Sequence, residues 1–222
     1  MNILETILNI IFPVNCEICG KNDTDFCLDC LILAPEAERE NAKWIFSMFD
    51  YRHPPIKKSI WLLKYKNKKR LAKIFAEVLY GRILEELADL FVFENFNNPI
   101  LIPIPLAPKR KRERGYNQTE LICENLIKID AKNSTKQNAN FTFEKNILIK
   151  PKDTEHQARI KNRNKRLKNL KNSFMIKNPE KIKGRNIILI DDVTTTGATL
   201  DEARKTLKKY GAKKIFAFTI AH

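Results

Sequence analysis

The chain has 222 residues with 43% hydrophobic content, which is enough for one sizeable α/β domain and a small appendage. Its net charge of +15 favours a polyanionic partner, either nucleic acid or a multiply phosphorylated small molecule, although a generally lysine-rich composition gives the same number. No stretch approaches the ~18 consecutive apolar residues of a membrane span, and "MNILETILNIIFP" lacks the basic start of a signal peptide, so we expect a cytoplasmic protein without a membrane span.

Four cysteines come first, in "CEICGKNDTDFCLDC". They are Cys16, Cys19, Cys27 and Cys30, arranged as two C-x2-C pairs. Each pair can curl around one tetrahedral ion with Zn–S bonds of about 2.3 Å. Disulfides are rare in the cytoplasm, so this spacing predicts a structural Zn²⁺ site. We therefore predict an N-terminal helix and zinc-binding module over residues 1–43, followed by a second domain over 44–222.

The second domain alternates between strand-like and helix-like segments. Strands are predicted at 44–51, 100–104, near 143–149, at 185–192 and at 214–221, and helices around 71–79, from about Asn117 and over 199–210. A basic loop is expected after the strand at 100–104, and a mobile basic segment after residue 150. This alternation predicts a mostly parallel central sheet.

The stretch "IILIDDVTTTGAT" has the pattern of a ligand-binding strand end. An apolar run ends in Asp191 and Asp192, at the carboxyl edge where open α/β sheets bind ligands. The following loop leads to a helix, for which we predict a capping box formed by Thr199 and Glu202. A helix N-terminus binds anions through its free N–H groups and its dipole. The loop can therefore hold a monophosphate, while the two carboxylates accept hydrogen bonds from vicinal sugar hydroxyls, and a ribose 5-phosphate satisfies both.

Three rival motifs fail on residue type. A Walker B strand also ends in acids, but the chain has no G-x-x-x-x-G-K-[ST] to hold a triphosphate, and no G-x-G for a Rossmann fingerprint. An EF-hand aligned on Gly197 would place Ala203 at the bidentate position. An ordinary strand–turn–helix without a ligand is the remaining alternative.

The same stretch resembles the PRPP-binding motif of the type I phosphoribosyltransferases. The resemblance implies that Asp191 and Asp192 bind the ribose hydroxyls and act at the catalytic centre. It also implies that the loop binds the 5′-phosphate through Val193, Thr194, Thr195, Thr196, Gly197, Ala198 and Thr199. Together with "PIPLAPKRKRERGYNQTEL", "DTEHQ" and the four cysteines, the chain is similar to the ComF (ComFC) family, from about Phe12 to Ala221. That resemblance implies a type I phosphoribosyltransferase-like fold and a part in natural transformation.

PRPP also carries a pyrophosphate with Mg²⁺, which requires cationic partners. Candidates are Arg110 and Arg114 after the strand at 100–104, and Lys64 and Lys66 on either side of Tyr65. The alternative for each basic run is a solvated face. By analogy with a related amidotransferase, the segment containing Thr154, Gln157 and Arg166 resembles a flexible loop that closes over the substrate.

Three functions stay open at this point. The first is Mg²⁺-dependent transfer of phosphoribose from PRPP to an acceptor that the sequence does not identify. The second is handling of single-stranded DNA, supported by the excess of Lys and Arg and by scattered aromatics such as Tyr65, Tyr116 and Phe174. The third is nucleotide salvage, to which a zinc module is foreign. We favour a PRPP-binding competence protein that contacts single-stranded DNA and has other competence proteins as candidate partners.

Overall fold

The computed structural model describes residues 14–16, 18–22, 24–38, 42–133, 140–151 and 172–222. The predicted N-terminal helix lies outside these ranges, as do the predicted closing-loop residues Thr154, Gln157 and Arg166. In the part of the chain that is described, no helix combines the length and the apolar character needed to cross a bilayer.

A five-stranded parallel sheet forms the centre, as predicted. Its strands in spatial order are β1 (Ile45–Phe49), β7 (Ile215–Ala221), β6 (Ile187–Val193), β2 (Ile100–Pro103) and β3 (Thr142–Phe143). Strand β6 lies in the middle, paired with β7 on one side and β2 on the other. A separate antiparallel pair is formed by β4 (Leu148–Ile149) and β5 (Met175–Ile176).

Helices cover the sheet, and the alternation of side chains along β6 sorts its residues between the two faces. Within the described residues, the α-helices are α1 (Leu28–Ile32), α2 (Pro54–Tyr65), α3 (Arg70–Glu94), α4 (Pro108–Arg114), α5 (Gln118–Asn133) and α6 (Ala198–Lys209). Ile188 and Ile190 pack into the core that α2, α3 and α5 share, whereas Ile187 and Leu189 pack towards α6. All four are fully buried, and burial of each such side chain contributes roughly 1.5–3 kcal/mol.

Three local predictions were wrong. The expected basic loop after β2 is the short helix α4, because Pro108 supplies a favourable first helical residue and Gly115, at φ 80°, ends the helix. The strand expected near 143–149 is two strands, β3 and β4, in different sheets. The capping box does not form: Gly197 occupies the N-cap of α6 without a side-chain cap, and the Glu202 carboxylate instead accepts a hydrogen bond from the Asn172 N–H at 2.6 Å.

The cysteine-bearing segment packs directly on the main core. Phe26 and Leu31 are 2% and 0% exposed and belong to the cluster that contains the α2 and α3 side chains. The buried carboxylate of Asp25 pairs with Lys68 Nζ, in the turn between α2 and α3, at 2.8 Å. The position of α2 is therefore set from one side by the sheet and from the other by this segment.

Candidate functional site

The loop between β6 and α6 forms a small hollow at the carboxyl edge of the sheet. The hollow has a volume of about 40 Å³ and is lined by Asp191 and residues 193–200, which include all four threonines of the motif. The Thr194 N–H donates to the Ala221 carbonyl at 3.0 Å, which fixes the start of the loop to the end of β7. Thr195 and Thr196 remain exposed at its tip. The sequence therefore places small polar side chains around a space of the right kind for a compact anion.

Gly197 makes the turn from this loop into α6. Its φ of 70° lies in the left-handed region that side chains other than glycine adopt at a cost. A Cβ at this position would also lie 3.3 Å from Ile45 Cδ1, so the strand β1 leaves little room for one. The turn brings the first residues of α6 against the hollow, and N–H groups in the first turn of a helix have no intrahelical acceptor. An anion in the hollow would supply one.

Asp191 is a partly buried acid facing the hollow. Side chains alternate along β6, so Asp191 lies on the α6 side of the sheet, the same side as Ile187 and Leu189. Burial, followed by the negative charge of neighbouring Asp192, raises the pKa of Asp191 from 3.8 to about 7. The Asp192 N–H, which donates to Asp191 Oδ1 at 2.8 Å, and the positive charges of Lys64 and Lys150 offset part of that increase. Near neutral pH, the Asp191 carboxylate is therefore only partly ionised in the folded protein.

Asp192 has a different environment, because its side chain points to the opposite face. It is 4% exposed, and its Oδ1 pairs with Lys64 Nζ, from the last turn of α2, at 2.7 Å. Its Oδ2 accepts a hydrogen bond from the Gln118 side-chain amide at the start of α5. Both oxygens of this carboxylate are therefore engaged, which fixes its orientation. The two adjacent acids therefore differ. Asp192 is paired with a lysine and an amide, whereas Asp191 accepts a hydrogen bond from a backbone N–H and forms no close ion pair with a cation of the described residues.

The contacts of Asp192 continue outwards to the surface. The side-chain oxygen Oε1 of Gln118 accepts a hydrogen bond from the Arg114 guanidinium, which lies over the ring of Tyr65 with its Cζ 5.2 Å from the ring centroid. The start of α5 is held in place because Asn117 Nδ2 and the Thr119 hydroxyl both donate to the Ile104 carbonyl, at 3.1 and 2.8 Å. A connected line of polar contacts thus joins the buried acid to an exposed aromatic side chain.

Two of the four predicted cations reach this line of contacts. Lys64 touches Asp192 directly, and Arg114 touches it through Gln118. Lys66 instead extends over the Trp61 ring, with Nζ 5.3 Å from the ring centroid, and Arg110 lies one helical turn before Arg114 on α4. Gln118 was not anticipated as a site residue. The signal that identifies it is a polar side chain at the first position of a helix that follows β2, the strand next to β6.

The four predicted cysteines come together as one cluster. The sulfur atoms of Cys16, Cys19, Cys27 and Cys30 all lie within 4.8 Å of one another. Gly20, at φ 75°, closes the first knuckle, with its N–H donating to the Cys16 carbonyl at 2.9 Å. Backbone N–H groups of Cys27 and Cys30 point at the sulfurs of Cys16 and Cys27, each at 3.4 Å. Burial raises the pKa of Cys16, but N–H donors from Cys19, Ile18 and Cys27 more than offset it, and the net value is about 6. This donor set can hold a tetrahedral metal ion.

Comparison with known proteins finds similarity to a phosphoribosyl transferase domain, to a DNA utilization protein and to competence proteins. The family described as phosphoribosyl transferase domain matches residues 130–222, which include the loop and both aspartates. DNA utilization protein YhgH of Escherichia coli K12 is 27% identical over 212 residues, covering 90% of this chain and 80% of the relative. Competence protein ComFC of Streptococcus pneumoniae is 29% identical over 207 residues, covering 93% and 80%. Competence protein F of Haemophilus influenzae is 34% identical over 123 residues, covering 54% and 49%.

The matches among solved structures have lower sequence identity. A hypoxanthine phosphoribosyltransferase from Trypanosoma cruzi aligns with 68% of this chain and 64% of its own, at 12% identity and a TM-score of 0.39. One from Staphylococcus aureus aligns with 68% and 62%, at 9% identity and a TM-score of 0.38. The chain thus covers a little under two thirds of both enzymes.

Proposed function

We propose that this chain binds PRPP at the β6–α6 loop and acts in DNA uptake, a proposal supported by its similarity to competence proteins and by the match of residues 130–222 to the phosphoribosyl transferase domain. The observation that supports this most directly is the hollow lined by Asp191 and residues 193–200. It combines an acid for a sugar hydroxyl with a glycine-led turn into a helix N-terminus. A ribose 5-phosphate needs both parts, one for its hydroxyls and one for its phosphate.

The rest of PRPP would engage the face where Asp192 lies. Its pyrophosphate, accompanied by Mg²⁺, requires cations that can leave their present partners. Of the four predicted candidates, Lys64 and Arg114 are the two that contact Asp192 directly or through Gln118. The Asp192 carboxylate orients Lys64 at 2.7 Å, so a sugar diol that donates to Asp192 would free this ammonium for phosphate. Bound Mg²⁺ would neutralise part of the charge on the leaving pyrophosphate, as it does in phosphoryl transfer.

We propose further that the four cysteines hold Zn²⁺ in a purely structural site. All four sulfurs are available as ligands, which is the closed donor set typical of structural zinc. The module that they would stabilise is assigned to residues 1–43, with the phosphoribosyltransferase-like domain at 44–222. Phe26 packs against the core behind α2, so the metal would act at a distance on the helix that carries Lys64. The chain would work in the cytoplasm, beside other competence proteins.

Calorimetric titration with Mg²⁺–PRPP tests the binding proposal. The wild-type chain is expected to bind, and the double variant Asp191→Ala/Asp192→Ala to lose binding while its far-ultraviolet circular dichroism stays native. Asp89→Ala, which removes an exposed acid on α3, is the matched control and should bind as the wild type does. Equal affinity of the double variant and the wild type would contradict the proposal.

Turnover is a separate question, answered by measuring pyrophosphate release with PRPP and a panel of nucleobases and other nucleophiles. Release that depends on one acceptor would identify a phosphoribosyltransferase. Tight binding without release would identify PRPP as a ligand or a switch. A salvage enzyme, the alternative function, would release pyrophosphate with a free nucleobase and would show no response to single-stranded DNA.

Contact with single-stranded DNA is the second part of the proposed function. It is supported by the net charge of +15 and by the competence names of the relatives. Binding of a labelled oligonucleotide at several salt concentrations tests it. A steep fall in affinity with salt is expected, because phosphate contacts release counterions. An affinity that does not change with salt would refute it.

A further inference from the structure

The outer face of α2 carries two exposed aromatic rings with a cation on each. Trp61 and Tyr65 are 45% and 55% exposed, and their ring centroids lie 6.3 Å apart. Their spacing of four residues puts them on the same side of the helix. Lys66 Nζ lies 5.3 Å from the centroid of Trp61, and Arg114 Cζ lies 5.2 Å from that of Tyr65. We call these four side chains the aromatic ledge.

The surroundings of the ledge are strongly cationic. Residues 57–70 contain seven Lys and Arg and no acid. The exposed positions in this stretch are Lys57, Lys58, Trp61, Tyr65, Lys66, Asn67, Lys69 and Arg70. The exposed apolar surface of this stretch is therefore aromatic, without exposed aliphatic side chains. This composition complements a polyanion that has flat, unstacked rings.

We infer that the aromatic ledge is the surface on which single-stranded DNA stacks its bases, an inference that rests on the DNA contact in the proposed function. A cation–π contact at an exposed site is weaker than a base–aromatic stack. Phosphates of the strand would draw Lys66 and Arg114 off the rings, and each ring would exchange a cation for a base. The two rings would then stack on bases and the two cations would bind phosphates, and neither contact depends on the base sequence.

The position of the ledge relative to the PRPP site supports the assignment. Arg114 touches Tyr65 on one side and Gln118 on the other, and Gln118 touches Asp192. A strand lying on the ledge would therefore pass beside the sugar site, at the surface end of the line of polar contacts. Duplex DNA offers its bases only at grooves and ends, so its affinity should depend little on the two rings.

The test uses fluorescence anisotropy with a labelled oligothymidylate and the full-length chain. Trp61→Ala/Tyr65→Ala is expected to raise the dissociation constant by about tenfold or more, because loss of a single base–aromatic stack already weakens binding by about fivefold or more. Trp61→Phe/Tyr65→Phe keeps aromatic rings and should stay within about threefold of the wild type. Phe91→Ala/Phe93→Ala removes two rings that are 59% and 81% exposed at the end of α3, and should change nothing.

Four further outcomes separate this inference from the proposed function. If the wild type does not bind the oligonucleotide, both the DNA contact and the ledge fail, whereas Mg²⁺–PRPP titration can still succeed. If the wild type binds and the alanine pair binds equally well, the ledge alone is overturned. Trp61→Ala should retain the wild-type affinity for PRPP, which reports an intact fold. If the alanine pair loses binding only to single-stranded RNA or to vesicles with anionic lipids, the ledge belongs to that other partner and the inference is wrong.

Discussion

Asp191→Asn should make the protein more stable while it weakens PRPP binding. Burial and the charge of Asp192 raise the pKa of Asp191 from 3.8 to about 7. A tenfold change in an acid's ionisation constant corresponds to about 1.4 kcal/mol. The rise in the pKa of Asp191 from 3.8 to about 7 therefore sets a ceiling of about 4 kcal/mol on the cost of ionised Asp191 to folding. The side chain is partly exposed, and screening by water reduces this cost to about 1–2 kcal/mol. An asparagine avoids the cost and keeps most of the shape.

The gain should depend on pH with a defined sign. The folded state holds the Asp191 proton more tightly than the unfolded state, so wild-type stability falls as the pH rises from 3.8 to about 7. Above about pH 7 the carboxylate is ionised in both states and the cost is fully present. The stabilising effect of the asparagine is therefore largest above pH 7 and disappears as the pH approaches 3.8. Urea denaturation at pH 8 and at pH 5, followed by tryptophan fluorescence, measures the difference.

Asp192→Asn is the matched control, because its expected effect on stability has the opposite sign. It removes the carboxylate paired with Lys64, whose side chain is only 19% exposed, and so breaks the close contact of that ammonium. Loss of such a partner costs about 1–3 kcal/mol. Both variants are expected to bind Mg²⁺–PRPP more weakly, since both carboxylates are assigned to the sugar. If both variants were destabilised equally at pH 8, the reasoning about unequal compensation of the two acids would be refuted.

Three more predictions concern residues around the site. Lys64→Met should weaken Mg²⁺–PRPP binding about tenfold in calorimetry, because it removes a hydrogen bond from a charged group. Lys66→Met is the control and should leave the affinity unchanged. Equal losses in the two variants would place the pyrophosphate elsewhere. Gly197→Ala should cost about 1–2 kcal/mol, because its φ of 70° is strained for alanine, whereas Gly81→Ala inside α3 has open space and should not destabilise in the same urea titration. Removal of metal by a strong chelator should lower the melting temperature by about 5 °C or more, because Phe26 and Leu31 would lose their support; an unchanged temperature would argue against a bound metal ion.

The sequence predicts the central sheet and the candidate loop well, because both depend on local patterns. The apolar run at 187–190 is fully buried in β6, and Asp191 follows at the end of that run, as expected for a parallel strand. Gly211, which directly follows the helix predicted over 199–210, has φ 90° there, as is common for a glycine after a helix. Such features need only the residue types of one segment, so a single sequence contains enough information.

Other features depend on which segments meet, and one segment alone does not reveal them. Thr199 and Glu202 fit a capping box, yet the tight turn required at Gly197 takes the N-cap position, and Glu202 bonds Asn172 from a distant segment. The helix predicted over 199–210 includes Tyr210, but α6 ends at Lys209 and Tyr210 lies beyond it, 41% exposed. Gln118 approaches Asp192 only because β2 and β6 are neighbours in the sheet.

The contrast between the two acids also bears on how PRPP and DNA would influence each other. PRPP that takes the Asp192 carboxylate would compete with Lys64 and with Gln118, the residue that holds Arg114 beside Tyr65. A strand that draws Arg114 off Tyr65 would act on the same contacts from the other end. Whatever factor PRPP imposes on the affinity for DNA, DNA must impose the same factor on the affinity for PRPP. Measuring both factors on one sample therefore tests whether the line from Asp192 to the ledge is a single coupled element, and Gln118→Ala, which removes the middle of that line, should bring both factors to one.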